Sequence, residues 1–494
     1  MTEAQTLRHP RVLAYLFFAE AWERFSFYGM KALLVLYLTE SFKFGDNSAY
    51  AIYGSYTALV YATPVIGGLL ADRLLGYRKA VVLGGVLMAL GHFAMTVQTL
   101  QAFYFALGLL ICGNGFFKPN ISSIVGRLYG PDDPRRDSAF TIFYMGINLG
   151  GFLSPLACGY LGERFGYHWG FGLAGIGMLL GLFVFLRAQP LLAGIADPPP
   201  RSAASSGASP SISAETWVYL GAIASVVLAW QLVQHDAVVG TLLVIFGVVV
   251  FLGLLVYLLR LRDKIARDRL AVALLLTLVS VVFWSFFEQA GSSMSLFTSR
   301  NVTRSLFGWT IKASQFQSVN PLFILVFAGP FSALWLYLAR RQREPSTPLK
   351  FGLGIVQLGL GFLALYVGAS VSRATGMVPM FWLVLAYFLH STGELCLSPI
   401  GLSMITKLSP KNMTGIMMGT WFLASSFAQY AASLIAQLTG VKQEGALATT
   451  LPKASETVMV YGSVFGTVGW VALGVGVLVV LVSSLIARRM HGIR

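Results

Sequence analysis

The constraint that governs this chain is a series of fourteen apolar runs, each close to the ~20 residues a helix needs to cross a bilayer. They fall at 12–40, 48–72, 79–98, 102–127, 138–162, 168–188, 215–235, 238–260, 270–298, 315–340, 350–370, 378–407, 412–438 and 456–487. Of the 494 residues, 56% are hydrophobic and only 11% are charged. A soluble domain carries roughly 25% charged residues. That gap excludes a string of water-soluble domains. The chain reads as an all-α integral membrane protein.

The net charge of +15 would suggest nucleic acid in a soluble protein. In a membrane protein, cytoplasmic loops collect Lys and Arg instead. With both termini in the cytoplasm, Lys43, Arg164, Arg300, Arg304, Lys312, Arg373, Lys442 and Lys453 lie outside. Arg24, Lys31 and Lys118 lie inside the spans, and the other 24 of the 35 bases lie on the cytoplasmic side. The asymmetry supports an even number of spans and this orientation, and no nucleic acid is needed. Cys112, Cys158 and Cys396 lie in apolar stretches with no metal-ligand spacing, so no zinc site or disulfide framework is expected. The opening run follows basic residues but lacks a small-residue cleavage site and exceeds signal-peptide length, so a retained first helix is expected.

Between the sixth and seventh runs, residues 189–214 are rich in Pro, Ser, Ala and Gly, as in a flexible linker. The expected organisation is a six-helix bundle (1–188), that linker, a two-helix insert (215–262) and a second six-helix bundle (263–494). Two six-helix halves around a midplane site is the plan of the major facilitator fold. Weak internal repetition agrees: FYMGINLGG and MGTWFLASS occupy matching places in the two halves, as do FFKPN and LSPIG.

Seven ionisable residues interrupt the spans: Glu20, Glu23, Arg24, Lys31, Lys118, Glu288 and Glu394. Each costs at least ~2.5 kcal/mol at membrane depth, so such residues are few and usually functional. At 100° per residue, Glu20, Glu23, Arg24, Phe27, Tyr28 and Lys31 fall in one helical stripe about 140° wide. Such a face lines a water-filled cavity or meets partners. Glu20 and Arg24 are four apart and can pair. Lys118 precedes Pro119, where the helix backbone is locally freed, and is a natural partner for Glu20 or Glu23. Static ion pairs pinning helices together are the structural alternative, but buried pairs are a poor source of net stability. Glu288 and Glu394 each sit on a helix loosened by nearby Gly or Pro. Four acids against three bases leave one negative charge. One added proton makes the set neutral, which points to a proton carrier among the carboxylates.

These residues lie in motifs that run in order along nearly the whole chain: ExxER at Glu20, Glu23 and Arg24, then GGLLADRLLG, FFKPN, FYMGINLG, FWSFFEQ, FQSVNPLF, GELCLSP and MGTWF. In them the chain resembles the proton-dependent oligopeptide transporters, the peptide branch of the major facilitator superfamily. A two-helix insert between the halves is also what bacterial members show. The resemblance implies a symporter that imports di- and tripeptides with protons by alternating access, with no cofactor beyond the coupling proton.

The resemblance also implies site residues. Glu20, Glu23 and Arg24 would couple protons, with Lys118 and Glu288 beside them in that role. Lys118 and Lys31 would hold the peptide carboxylate. Tyr28, Tyr61, Tyr144 and Asn148 would line the N-terminal half of the pocket. Trp284, Phe287, Asn320, Glu394, Ser398 and Trp421 would line the C-terminal half, with Glu394 on the peptide amino group. A zwitterionic peptide needs both a cationic and an anionic contact, and gripping both ends would let binding favour closure. Two departures bear on affinity. Phe27 stands where many members have tyrosine, and Lys31 replaces an arginine, losing its bidentate fork for a carboxylate. The helix-2 histidine that mammalian relatives use in proton coupling falls at Gly54. His92 and His390 read as packing residues.

The segment DRLLGYRK places Asp72 near Arg73, Arg78 and Lys79 and reads as an inter-helix latch. The glycine-rich segments follow no strand and lack the P-loop lysine, so they suit tight helix packing rather than phosphate. A facilitator of another solute (an amino acid, an anion or a drug) is the alternative function. An enzyme is not expected, because no nucleophile–base or metal constellation stands out. The lipid bilayer, protons and the peptide are the expected partners, and a monomer is expected.

Overall fold

The computed structural model describes residues 8–130, 133–197, 213–410, 413–441 and 453–493. Among them are fourteen long helices, and eleven are long and apolar enough to cross a membrane by length and composition. They are α1 (Arg11–Glu40), α2 (Asp46–Leu75), α3 (Tyr77–Ala94), α4 (Leu100–Arg127), α5 (Arg135–Phe165), α6 (Tyr167–Ala188) and α7 (Ala214–Leu232). Then come α8 (Asp236–Arg260), α9 (Lys264–Asn301), α10 (Val319–Arg340), α11 (Thr347–Val371), α12 (Met380–Leu408), α13 (Thr414–Gln437) and α14 (Ala454–Arg488). Each coincides with one of the apolar runs. Most of the linker expected at 189–214 lies outside the described residues, which resume at Ser213.

The starts of α4, α7 and α9 are capped by side-chain oxygens. Thr99 Oγ1 accepts from Ala102 N, Ser213 Oγ from Thr216 N and Asp263 Oδ1 from Ile265 N, at 3.3, 3.1 and 2.9 Å. Such caps satisfy donors that the helix itself leaves orphaned. Among the described residues, strand structure is confined to two-residue pairs: Val302–Thr303 runs parallel to Val378–Pro379, and Ser305–Leu306 antiparallel to Trp309–Thr310.

By packing, the chain forms two compact units. The first comprises residues 1–33 and 59–235, the second 34–58 and 236–494. The unit borders therefore run through α1 and α2, and the insert is divided between the units, α7 in the first and α8 in the second.

In the first unit α4 is the central helix, with 78% of its most apolar window buried. Pro119 within α4 cannot donate to the carbonyl of Gly115, four residues earlier. That carbonyl faces α2 at Gly67, where a methyl group would lie only 2.0 Å from the Gly115 oxygen. Glycine is required there by the close approach of the two backbones. In the second unit α11 packs along α12 and α14, and α13 along α9. Helix α9 is broken by a 3-10 turn at Glu288–Gly291. Gln289 Nε2 bridges the break, donating to the carbonyls of Ser285 at 3.1 Å and of Ala432 on α13 at 2.9 Å. Helix α8 is peripheral, with 11% of its window buried.

Candidate functional site

The expected charged face of α1 is buried within the first unit. Glu20 and Arg24 are 2% exposed and Glu23 is fully buried. The i,i+4 pair forms, with Arg24 Nε 3.3 Å from Glu20 Oε1. The stronger contact was not legible from helical spacing. Arg24 turns its fork onto its own neighbour, donating from Nη2 to Glu23 Oε1 at 2.7 Å and from Nε to Glu23 Oε2. One guanidinium thus serves two carboxylates unequally. Glu23 is held through both oxygens, while Glu20 Oε2 has no hydrogen-bond partner. A buried acceptor left unsatisfied costs about 1–3 kcal/mol. Protonation turns that oxygen into a donor and removes a charge from the interior.

The basic members of the face lie nearby. Lys31 is buried on α1. Lys118 feels the charges of Arg24, Glu23, Glu20 and Lys31. The direct ion pair expected between Lys118 and Glu20 or Glu23 does not form. Its ammonium sits 4.4 Å from the centroid of the Tyr61 ring instead. A cation–π contact is sufficient to hold an ammonium at a desolvated position, and it keeps Lys118 away from the acids that Arg24 already occupies. Arg24 likewise lies 5.2 Å from the Phe27 ring and 5.9 Å from that of Tyr28. Tyr28, Tyr61 and Tyr144 are half-buried and Asn148 is buried. Tyr144 and Asn148 are one turn apart on α5, with Asn148 Nδ2 donating to the Tyr144 carbonyl at 3.0 Å.

In the second unit Glu394 is anchored by a short relay. Asn320 Nδ2 donates to Glu394 Oε2 at 3.0 Å and to Ser391 Oγ at 2.9 Å, and Ser391 donates to the Tyr387 carbonyl at 2.7 Å. Ser391 was absent from the sequence-derived set. Its only signal was its place one turn before Glu394. Glu288 is buried at the α9 break, within electrostatic reach of Glu394. Trp284 and Phe287 meet edge to face, 5.2 Å between centroids, and both are half-buried. Ser398 is half-buried one turn beyond Glu394. Trp421 packs its ring on Gly401 of α12, where a methyl would lie 2.7 Å from its Cη2.

The segment around Asp72 joins helix ends, though not through the bases beside it in the sequence. Asp72 does not pair with Arg73, Arg78 or Lys79. It accepts from Tyr77 Oη, to which Arg127 Nη2 donates at 2.6 Å, linking the ends of α2, α3 and α4. Arg78 goes to Gln189 and Asp197 and Lys79 to Glu215. At Gly54, the mammalian histidine position, a methyl group would lie 2.2 Å from Ser433 Cβ and Oγ. No side chain fits between α2 and α13 there. His390 packs against Phe362 at a tilt of 42° with centroids 4.6 Å apart, and His92 is fully buried with neither ring nitrogen hydrogen-bonded.

This arrangement of helices recurs in known transporters. The POT family model matches residues 78–453. The Bacillus subtilis transporter YclF is 40% identical over 98% of this chain and 96% of its own. Dipeptide and tripeptide permease B of Shigella dysenteriae is 31% identical over 98% and 96%. The chain belongs to the POT family. A crystal structure of a mutant peptide transporter POT in complex with alafosfalin superposes with a TM-score of 0.82 at 36% identity, covering 98% of this chain and 96% of that one. The POT fold seen here is the major facilitator fold, two six-helix bundles with a two-helix insert, in a multi-pass membrane transporter.

Proposed function

We propose that this POT-family chain is a proton-coupled symporter that imports di- and tripeptides across the cytoplasmic (inner) membrane by alternating access, with both termini in the cytoplasm. The observation that carries the proton coupling is the unequal sharing of Arg24. Glu23 is neutralised by the fork, and Glu20 keeps an unpartnered oxygen, so Glu20 takes the proton. Protonation releases part of Arg24, which lets the charge balance among Glu23, Lys118 and Lys31 shift as substrate binds. The relative named as a dipeptide and tripeptide permease supports the substrate class.

In this reading Lys31 and Lys118 bind the peptide carboxylate. Glu394, oriented by Asn320, binds the amino group, and Glu288 tunes the charge beside it. Tyr28, Tyr61, Tyr144, Asn148, Trp284, Phe287, Ser398 and Trp421 contact the peptide body. Aromatic walls accept varied side chains, as broad peptide specificity requires. All of these residues belong to one chain, so we propose that a monomer suffices for transport.

The test is uptake of labelled dialanine into proteoliposomes under an inside-alkaline pH gradient. Accumulation against the peptide gradient is expected, and Glu20→Gln should abolish it while leaving peptide exchange at zero gradient. No accumulation by the parent protein, with a free amino acid or drug carried instead, would move the function to another solute.

A further inference from the structure

Helix α8 meets α13 closely at one end and parts from it beyond. Near its start, Tyr430 Oη donates to the Asp236 carbonyl at 3.3 Å, and a methyl at Gly240 would lie 2.2 Å from that hydroxyl. Four residues further along α8, a cleft of about 500 Å³ opens between α8, α9 and α13.

Each helix turns one regular stripe into the cleft. From α8 come Val244, Gly247, Val248, Phe251 and Leu254, flanked by Val250 and Leu252; from α9 come Leu274, Leu278 and Val281; from α13 come Leu423, Ala424 and Phe427. The i, i+3, i+4, i+7 spacing is that of a helix–helix interface, yet the stripes do not close on one another. Closure lacks two things. Lipid tails are as apolar as these side chains, so no hydrophobic force draws the helices together. The stripes hold small Gly247 and Ala424, but bulky Phe251, Phe427 and Leu274 beside them keep the helices from touching.

The chemistry of the cleft selects its occupant. Its hydroxyls, those of Thr277 and Thr420, donate back to the carbonyls of Ala273 and Ile416 at 2.8 and 2.9 Å. The lining therefore offers a ligand no free donor, and its only polar side-chain atoms are these two hydroxyl oxygens. From Val244 to Leu254 it runs ten residues, about 15 Å at 1.5 Å each, which is one leaflet's share of a ~30 Å hydrocarbon core. Beyond it, the α8–α9 connection carries exposed Arg260, Arg262 and Lys264, which suit a phosphate at headgroup level.

We propose that this cleft holds one acyl chain of a membrane phospholipid, wedged between α8 and the pair α9–α13, with its phosphate at the Arg260 end. The second insert helix is then fastened to its unit by protein contacts at one end and by lipid at the other.

Native mass spectrometry of the full chain, purified from membranes in mild detergent, tests this. The parent protein should retain one phospholipid per chain. A methyl at Gly247 meets nothing within 4 Å, so Gly247→Phe has open space at its Cβ, directs its ring into the cleft and should lower the retained fraction at least tenfold. Gly253 is also open but lies outside the cleft, and Gly253→Phe should retain lipid as the parent does. Equal retention by Gly247→Phe and the parent, or none in the parent, would overturn the proposal. A second measurement does not depend on how Gly247→Phe folds. Val248→Cys with Ala424→Cys should form a disulfide slowly in native vesicles and faster after delipidation, the native thiols being buried. Rapid disulfide formation in native vesicles would mean that the helices close on each other and no lipid intervenes.

Discussion

Asp46 and Arg300 are joined by two hydrogen bonds, Arg300 Nη1 and Nη2 donating to the two Asp46 carboxylate oxygens at 2.6 and 2.8 Å. The pair ties the start of α2 to the end of α9 inside one compact unit. Arg300 also donates to Tyr461 Oη at 3.1 Å, and the Val441 amide donates to Asp46 at 3.3 Å. With Asp46 at 2% exposure, the pair behaves as a buried ion pair. Arg300→Met would leave a desolvated carboxylate alone, at a cost of about 3–5 kcal/mol. The expected outcome is a clear drop in thermal unfolding temperature in detergent. Adding Asp46→Asn to Arg300→Met should recover part of it. A double variant no better than the single would mean that the charge is not the cause.

Glu394 is held in place by an uncharged donor, Asn320, so its charge is available to a substrate. Glu394→Gln keeps the shape and removes the charge. A hydrogen bond to a charged group is worth about 1.5–3 kcal/mol, so kcat/KM for dialanine should fall roughly 10- to 150-fold. An N-acetylated dipeptide, lacking the amino cation, should lose far less. Equal losses for both peptides would remove Glu394 from amino-group recognition.

At Gly54 of α2 the Ser433 side chain of α13 leaves no room for a side chain. Gly54→Ala forces an overpacked contact and should destabilise by about 1–3 kcal/mol. Ser433→Gly, which removes the atoms in the way, should restore most of that loss, as read by unfolding temperature. If Gly54→Ala is as stable as the parent, the close approach is not tight in solution.

The connection between α4 and α5 carries one acid-sensitive carboxyl outside the spans. Arg135 donates to Asp133 through its side chain and its backbone amide and holds that carboxyl down at about 2, from an ordinary 3.8. A depressed carboxyl stabilises the folded connection above its unfolded value and loses that contribution as pH falls through the folded one. Hydrogen exchange at residues 133–138 should therefore be constant above pH 5, after correction for intrinsic rates, and rise between about pH 4 and 2. Asp133→Asn should show the faster exchange at neutral pH and lose that acid dependence.

Periodicity carried much of this protein into view. Each of the fourteen apolar runs corresponds to a helix because a run near bilayer length has one way to satisfy its backbone in lipid. The charged stripe of α1 and the Glu20–Arg24 contact follow from 3.6 residues per turn. Helical geometry says nothing about which of two acids a guanidinium prefers, and Glu23 took the fork through its neighbour on the chain. Lys118 shows the same limit, since its partner Tyr61 comes from another helix. Asn301 shows it most plainly. Its amide and its carbonyl reach Gly376, Ala454 and Thr457 at 2.8 to 3.0 Å, and no local pattern marks it.

What the sequence by itself determined is the set of elements and the short list of ionisable groups they carry, because those depend on local spacing and on the cost of charge in hydrocarbon. What only the tertiary structure decided is the pairing among those groups, the bond between Asp46 and Arg300 over 254 positions, and the gap beside α8. Those depend on which helix faces which. In a membrane, small residues, hydrogen bonds and lipid set that choice, where burial of apolar surface from water would set it in a soluble protein.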